Sequence, residues 1–374
     1  MSFKMSSKNR IRLVCSTLAA WGRRTWRARQ CLPGVLVLGW LCLAGTLAAA
    51  QSGPTDVREE RLQVGGEERS YLISRPWNLK GPAPVIIALH AAGQTSESFR
   101  DYLGLDASAL PQGVVTVYPQ GIGRVWNDGR PAAMRLKAML TPGDDVPFLT
   151  LLAQRLVEDG IADRRRIYLL GISNGGFMVE RMACERADLF AAFAVTMATA
   201  PANYREECAP SRPVPIMFVH GTADSVIGWM GFWTPLGATL SAPDSAVLFA
   251  GLNRCTQDQS ESLEPTDSRD ATRITLRTWS GCEGGSEVRL YRVEGGGHQS
   301  PARVPTKPDL LSGILGLRSR QMDMGEASLA FFARYALPGP QVSEAPPAML
   351  KRSGAQKGAH KPSSASDQRG SRTQ

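Results

Sequence analysis

Three residues could do chemistry together in this chain: Ser173, Asp224 and His298, in that order. A serine hydroxyl attacks an acyl carbon only when a base takes its proton. An imidazole can be that base, and a carboxylate bonded to the ring can fix its tautomer and stabilise the imidazolium. Ser173 lies in Gly171-Ile172-Ser173-Asn174-Gly175-Gly176. This is the G-x-S-x-G pattern of a nucleophile elbow, where the serine tips a strained turn between a strand and a helix. Small residues must flank such a turn, and Gly171, Gly175 and Gly176 do.

The flanks agree with the motif. Ile167 to Leu170 is a short apolar run, and Phe177, Met178, Arg181 and Met182 have helical spacing. Alone, the motif is a weak signal, because Gly-rich turns are common. An acid and then a histidine, each just beyond a strand, make it specific. Asp224 closes His220-Gly221-Thr222-Ala223-Asp224 after the apolar run Pro213 to Val219, and His298 follows Val288 to Val293 and three glycines. Of the four histidines, His360 falls near the C-terminus, and His90 and His220 precede other turns. His298 is therefore the candidate base.

Acyl transfer also needs an oxyanion hole made of two backbone N–H groups. Asn174, next to the nucleophile, should supply one. The loop after the run Val85 to Leu89 should supply the other, through Ala92 or else Ala91. His90 would help shape this loop and is a candidate substrate contact. Trp126, Trp229, Phe232 and Trp233 could line an acyl or aromatic pocket, with ordinary packing as the competing explanation. This chemistry requires no metal and no organic cofactor.

The elements that must position these residues follow from the pattern of the chain. Gly65-Gly66 between strand-like runs predicts a hairpin over Arg61 to Ile73. Strands are expected at 85–89, 114–118, 167–170, 190–195, 213–219, 274–279 and 288–293. Helices are expected at 96–110, 146–158, 242–252 and 326–335, with Asp144 and Asp145 as N-terminal caps of the second. Continuous apolar strands alternating with helices imply an α/β fold, a mostly parallel sheet with helices on both faces.

The 374 residues suffice for one large domain. The net charge of +9 is concentrated at the ends. Residues 1–50 carry eight basic and no acidic residues, and 338–374 carry six basic and two acidic. The middle is close to neutral, which excludes a nucleic-acid surface. A basic region to Arg29, an uncharged apolar stretch over 31–50 and Ala48-Ala49-Ala50 before Gln51 read as a signal peptide, cut after Ala50. Arg23-Arg24 hints at twin-arginine export, and an uncleaved anchor is the alternative. Residues 51–337 then form the catalytic domain. Residues 338–374, rich in Pro, Ser, Gly, Lys and Arg, read as a disordered basic tail. Secreted or periplasmic location is expected, with no stable membrane insertion after cleavage. Four cysteines remain: Cys184, Cys208, Cys255 and Cys282. Two disulfides are expected, in one of three connectivities, with sequence neighbours giving Cys184–Cys208 and Cys255–Cys282.

Taken together, the motifs resemble the secreted polyhydroxybutyrate depolymerase-like esterases, related to feruloyl and acetylxylan esterases. The resemblance rests on ALHAAGQTSESF (88–99), Trp126-Asn127, DDVPFL (144–149), RRIYLLGISNGGFM (165–178), DLFAAFA (188–194), HGTAD (220–224), LNRC (252–255) and GGGHQSP (295–301). It spans residues 60–337. It implies an α/β-hydrolase fold, the triad Ser173, Asp224 and His298, and a Cys255–Cys282 disulfide. The chain departs from the family at two places. His90-Ala91 stands where the family has His-Gly, and Gln299-Ser300 where it often has Thr-Trp.

The function expected is that of a secreted serine esterase acting on short polyhydroxyalkanoate-type esters, or on feruloyl or acetyl esters of polysaccharide. A prolyl-oligopeptidase-like peptidase shares the constellation but usually carries a gating domain for which this chain has no room. A hydrolase fold kept only for binding is the third reading.

Overall fold

The computed structural model describes residues 55–130, 143–234, 237–304 and 312–339. These fall in one compact unit, Ser52–Gln374. The expected signal peptide, residues 1–50, and the expected tail beyond Gly339 lie outside the described residues.

Continuous apolar runs become the centre of the sheet, because a strand covered on both faces has no polar side to show. The strands are β1 (Thr55–Val64), β2 (Glu67–Pro76), β3 (Ala83–Leu89), β4 (Val115–Pro119), β5 (Ala162–Ile172), β6 (Ala192–Thr196) and β7 (Ile216–Gly221). A two-residue pair follows, β8 (Trp233–Thr234) and β9 (Gly237–Ala238). Then come β10 (Gln257–Ser262), β11 (Arg273–Ser280) and β12 (Val288–Glu294). Ten of them form one sheet in the order β1-β2-β4-β3-β5-β6-β7-β12-β11-β10. The six central strands, β4 to β12, run parallel, and antiparallel strands close both edges. The expected hairpin is β1–β2, turned by Gly65 and Gly66, both at positive φ.

The helices are α1 (Ser96–Leu103), α2 (Asp106–Ala109), α3 (Asp145–Glu158), α4 (Asn174–Glu185), α5 (Tyr204–Glu207), α6 (Ala242–Leu252), α7 (Ser312–Leu315) and α8 (Met324–Phe332). Phe148 and Leu152 of α3, Phe177 and Met182 of α4, and Phe249 of α6 pack on one face with Val85, Ile87 and Leu89 of β3. Phe99 of α1, Ala109 of α2 and Phe331 and Phe332 of α8 pack on the other with Ile86 and Ala88. Alternate residues of one strand thus serve opposite cores. The helix expected over 96–110 is broken at Gly104, which takes φ 65° and ends α1. Among the described residues no helix is long and apolar enough to cross a membrane.

One expectation is corrected in part. Asp144 caps α3, accepting from the Val146 N–H at 3.1 Å. Asp145 does not act simply as a second cap. It is buried, pairs with Arg69 of β2 at 2.6 Å and accepts the Asn127 N–H at 2.7 Å. The two cysteine pairs are Cys184–Cys208 and Cys255–Cys282.

Candidate active site

At the C-terminal end of β5 the chain turns into α4, and Ser173 is the turn. Its backbone takes φ 54°, ψ −119°, a conformation that few non-glycine residues adopt. Its N–H donates to the Thr196 carbonyl at 2.8 Å, tying the turn to β6. The flanking glycines are there for space. A Cβ on Gly171 would stand 2.2 Å from the Gly175 carbonyl oxygen, and one on Gly175 would stand 2.3 Å from that of Leu89. The elbow is therefore pressed against the end of β3.

Asp224 and His298 come from the ends of β7 and β12, which pair in parallel, so their loops emerge side by side. His298 Nδ1 lies 2.7 Å from Asp224 Oδ2, and His298 Nε2 lies 3.0 Å from Ser173 Oγ. Facing a carboxylate, Nδ1 carries the proton, which leaves Nε2 free to accept from the serine hydroxyl. The other Asp224 oxygen accepts the N–H groups of Val226 and Ile227, at 2.9 and 2.8 Å. Buried His220 sits behind it, with Nε2 donating to the Ile227 carbonyl at 2.8 Å. Burial holds the His220 ring below its ordinary pKa, so it adds no charge to the site. The His298 loop is held from outside. The N–H of His298 donates to Leu315 O at 2.5 Å, and that of Gly297 to Leu317 O at 2.9 Å. Gln299, at the second departure from the family pattern, donates to Gly316 O at 2.7 Å.

Residues 120–130, between β4 and the segment outside the described residues, bind the other loops together. His90 is wholly buried. Its Nδ1–H donates to Ala91 O at 2.8 Å and its Nε2 accepts the Gly121 N–H at 3.0 Å. Burial pushes its pKa down to about 4, which keeps the ring neutral. Trp126 is buried beside it, with ring centroids 4.9 Å apart, and its Nε1–H donates to His90 O at 3.0 Å. Both were expected as substrate contacts. Neither is accessible; they fasten the loop after β3 to the elbow. The Ala91 N–H donates to the Gln94 side chain at 3.0 Å, whereas no described residue accepts from that of Ala92. Ala91 does not require positive φ, so the methyl group at the first departure fits without strain.

The chain is similar over much of its length to several esterases. The candidate esterase NocK of Nocardia uniformis subsp. tsuyamanensis is 26% identical over 283 residues, 72% of this chain and 80% of the relative. Feruloyl esterase B of Piromyces equi is 26% identical over 243 residues, 62% of this chain but only 42% of that enzyme's length. A profile described as the Prolyl oligopeptidase family matches residues 143–201, a segment centred on the elbow. Among solved structures, the acetyl xylan esterase of Aspergillus awamori superposes with a TM-score of 0.51 at 14% identity, covering 74% of this chain and 99% of that one. That last likeness concerns the fold. The chain has the α/β-hydrolase fold and is similar to feruloyl and acetylxylan esterases.

The other aromatic residues expected in a pocket, Trp229 and Trp233, follow Asp224 in the chain. Trp229 is half-buried, with its ring 6.0 Å from that of His220 and the Arg292 guanidinium 5.5 Å from its centroid. Trp233 is 76% exposed and Met230 77% exposed, on the loop that follows Asp224. Ile314 and Leu317 are also exposed, on the segment whose carbonyls hold the His298 loop.

One residue that the sequence did not single out, Asp128, joins the contacts between this loop and the elbow. The Asn174 side chain accepts the Trp126 N–H at 2.7 Å and donates to Trp126 O at 3.1 Å and Asp128 Oδ2 at 2.6 Å. The only signal for this was the Trp-Asn-Asp cluster in a Gly-rich loop.

Proposed function

We propose that this protein is an exported serine esterase in which Ser173 is the nucleophile. Ser173 Oγ attacks the carbonyl carbon of an ester while its proton passes to His298 Nε2. Asp224 holds the ring and stabilises the imidazolium. The tetrahedral oxyanion is received by the backbone N–H groups of Asn174 and Ala92. His298 returns the proton to the leaving alcohol, leaving an acyl-enzyme. Water, activated by the same ring, then releases the acid.

The observation that carries this reading is the unbroken hydrogen-bonded line from Ser173 to His298 to Asp224, spanning 125 residues of sequence. Exposed Trp233 and Met230, which follow Asp224 in the chain, and exposed Ile314, on the segment that holds the His298 loop, favour esters with a bulky apolar or aromatic part. Feruloyl-type and hydroxyalkanoate-type esters fit that description better than acetyl esters do. Two disulfides support export into an oxidising compartment, after removal of residues 1–50.

A peptidase reading draws on the match over residues 143–201, but that segment holds the elbow and neither Asp224 nor His298. One panel separates the readings: methyl ferulate, hydroxybutyrate oligomers, acetylated xylan and a proline-containing peptide, each with wild type and Ser173→Ala. Turnover of an ester that vanishes in Ser173→Ala is expected. Turnover of the peptide alone would overturn the esterase reading.

A further inference from the structure

Asn174 occupies the first position of α4, and its N–H is the oxyanion donor adjacent to the nucleophile. Its side chain turns away from its own helix and makes all three of its hydrogen bonds to Trp126 and Asp128. Asp128 is wholly buried. Its carboxylate also accepts from Arg130, through the backbone N–H at 3.2 Å and the guanidinium at 3.1 and 2.7 Å. Arg130 in turn lies 3.8 Å over the ring of Phe177, one turn along α4. The arrangement closes on itself: helix, aspartate, arginine, helix.

A buried ion pair of this kind is a poor way to add stability, because removing two charges from water offsets most of their attraction. It is a good way to fix direction. A carboxylate only accepts, so the Asn174 amide must point its Nδ2 at Asp128 and its Oδ1 at the Trp126 N–H. With both ends held, the Asn174 Cα cannot rotate. The peptide between Ser173 and Asn174, which follows a residue at φ 54°, is then held in one orientation.

We infer that Asp128 is a positioning residue for the oxyanion hole, gripping the Asn174 side chain so that the Asn174 N–H stays aimed at the acyl oxygen. The inference rests on the esterase reading above, and it assigns Asp128 no contact with substrate. It concerns the transition state, since the donor is needed most where negative charge develops.

The test is a double-mutant cycle on Asp128→Asn and Asn174→Ala, with a soluble p-nitrophenyl ester as substrate. Each single variant should lower kcat about 10- to 100-fold, short of the roughly 10²–10³-fold cost of deleting a donor outright. KM should change less than about twofold, as expected when only the transition state loses an interaction. Affinity for an alkyl boronic acid, which mimics the tetrahedral state, should fall by the same factor as kcat. The double variant should be no slower than the worse single variant, because both break one link. Losses that multiply, or a kcat unchanged in either single variant, would overturn the inference. Should Asp128→Asn fail to fold, Asn174→Ala decides alone, since it leaves the Asp128–Arg130 pair intact. Ser173→Ala is run beside them. If that variant stays active, the esterase reading falls, whatever Asp128 does.

Discussion

A group sealed from water keeps its charge only where donors or opposite charges stand in for the water. Glu180 has no such donor among the described residues. Glu180 lies on α4, fully buried, with neither oxygen hydrogen-bonded among the described residues. Burial pushes its carboxyl well above the usual range; Arg130 opposes this and Asp128 adds to it. Folded protein therefore binds a proton there that the unfolded chain releases, so this group's contribution falls as pH rises above the ordinary carboxylate value. Glu180→Gln should remove the effect: its gain in Tm over wild type should be larger at about pH 8 than at about pH 5. A pH-independent gap would contradict a neutral Glu180. His90 gives the opposite slope. Its pKa drops from 6.5 to about 4 on folding, so the unfolded chain takes up the proton first. Stability is lost as pH falls through that window, by about 3 kcal/mol in all. Thermal melts of His90→Gln should show a lower Tm near neutrality and a flatter acid limb than wild type. Parallel limbs would show that another group dominates.

At the scale of elements, the elbow and the strands are held by close backbone contact, and there glycine is not interchangeable. Gly175→Ala would force a methyl to within 2.3 Å of Leu89 O, where backbone cannot yield. A loss of about 3 kcal/mol or more is expected in urea unfolding, together with activity. Gly251→Ala, on α6 with nothing within 4 Å, should instead stabilise by about 0.5–1 kcal/mol. Equal effects would mean that the elbow is not packed as described. These elements differ in how far the sequence discloses them. Ile167 to Leu170 and Val85 to Leu89 are legible as strands because burial on both faces leaves an unbroken apolar run. Edge strand β10 reads Gln-Asp-Gln-Ser-Glu-Ser and is wholly exposed, so only its backbone pairing to β11 reveals it. Asp145 fits a helix start equally well whether it caps or pairs with Arg69, and only burial decides. Trp126 carries the same ambiguity, since an aromatic residue in a Gly-rich loop suits a pocket wall and a buried strut alike.

At the scale of the whole molecule, the candidate site is assembled from the ends of β3, β5, β7 and β12, so it exists only when the parallel centre of the sheet is formed. The order serine, acid, histidine was readable because each follows an apolar run. The clamp through Asn174 and Asp128 was not, because hydrogen-bond partners far apart in sequence leave no local pattern. Two disulfides, closing separations of 24 and 27 residues, brace the outer shell from α4 to β11. Reduction, followed by urea unfolding, should cost about 3 kcal/mol for each bridge. Unchanged stability would mean that the bridges do not constrain the unfolded chain. The account as a whole depends on Ser173 being the atom that takes the acyl group. The most direct test is to treat the protein with a fluorophosphonate and locate the adduct by peptide mass. The account predicts a single phosphonylated residue, Ser173, with esterase activity lost in proportion to labelling and no labelling in His298→Ala. An adduct on a different residue, or full ester turnover after complete labelling of Ser173, would contradict it.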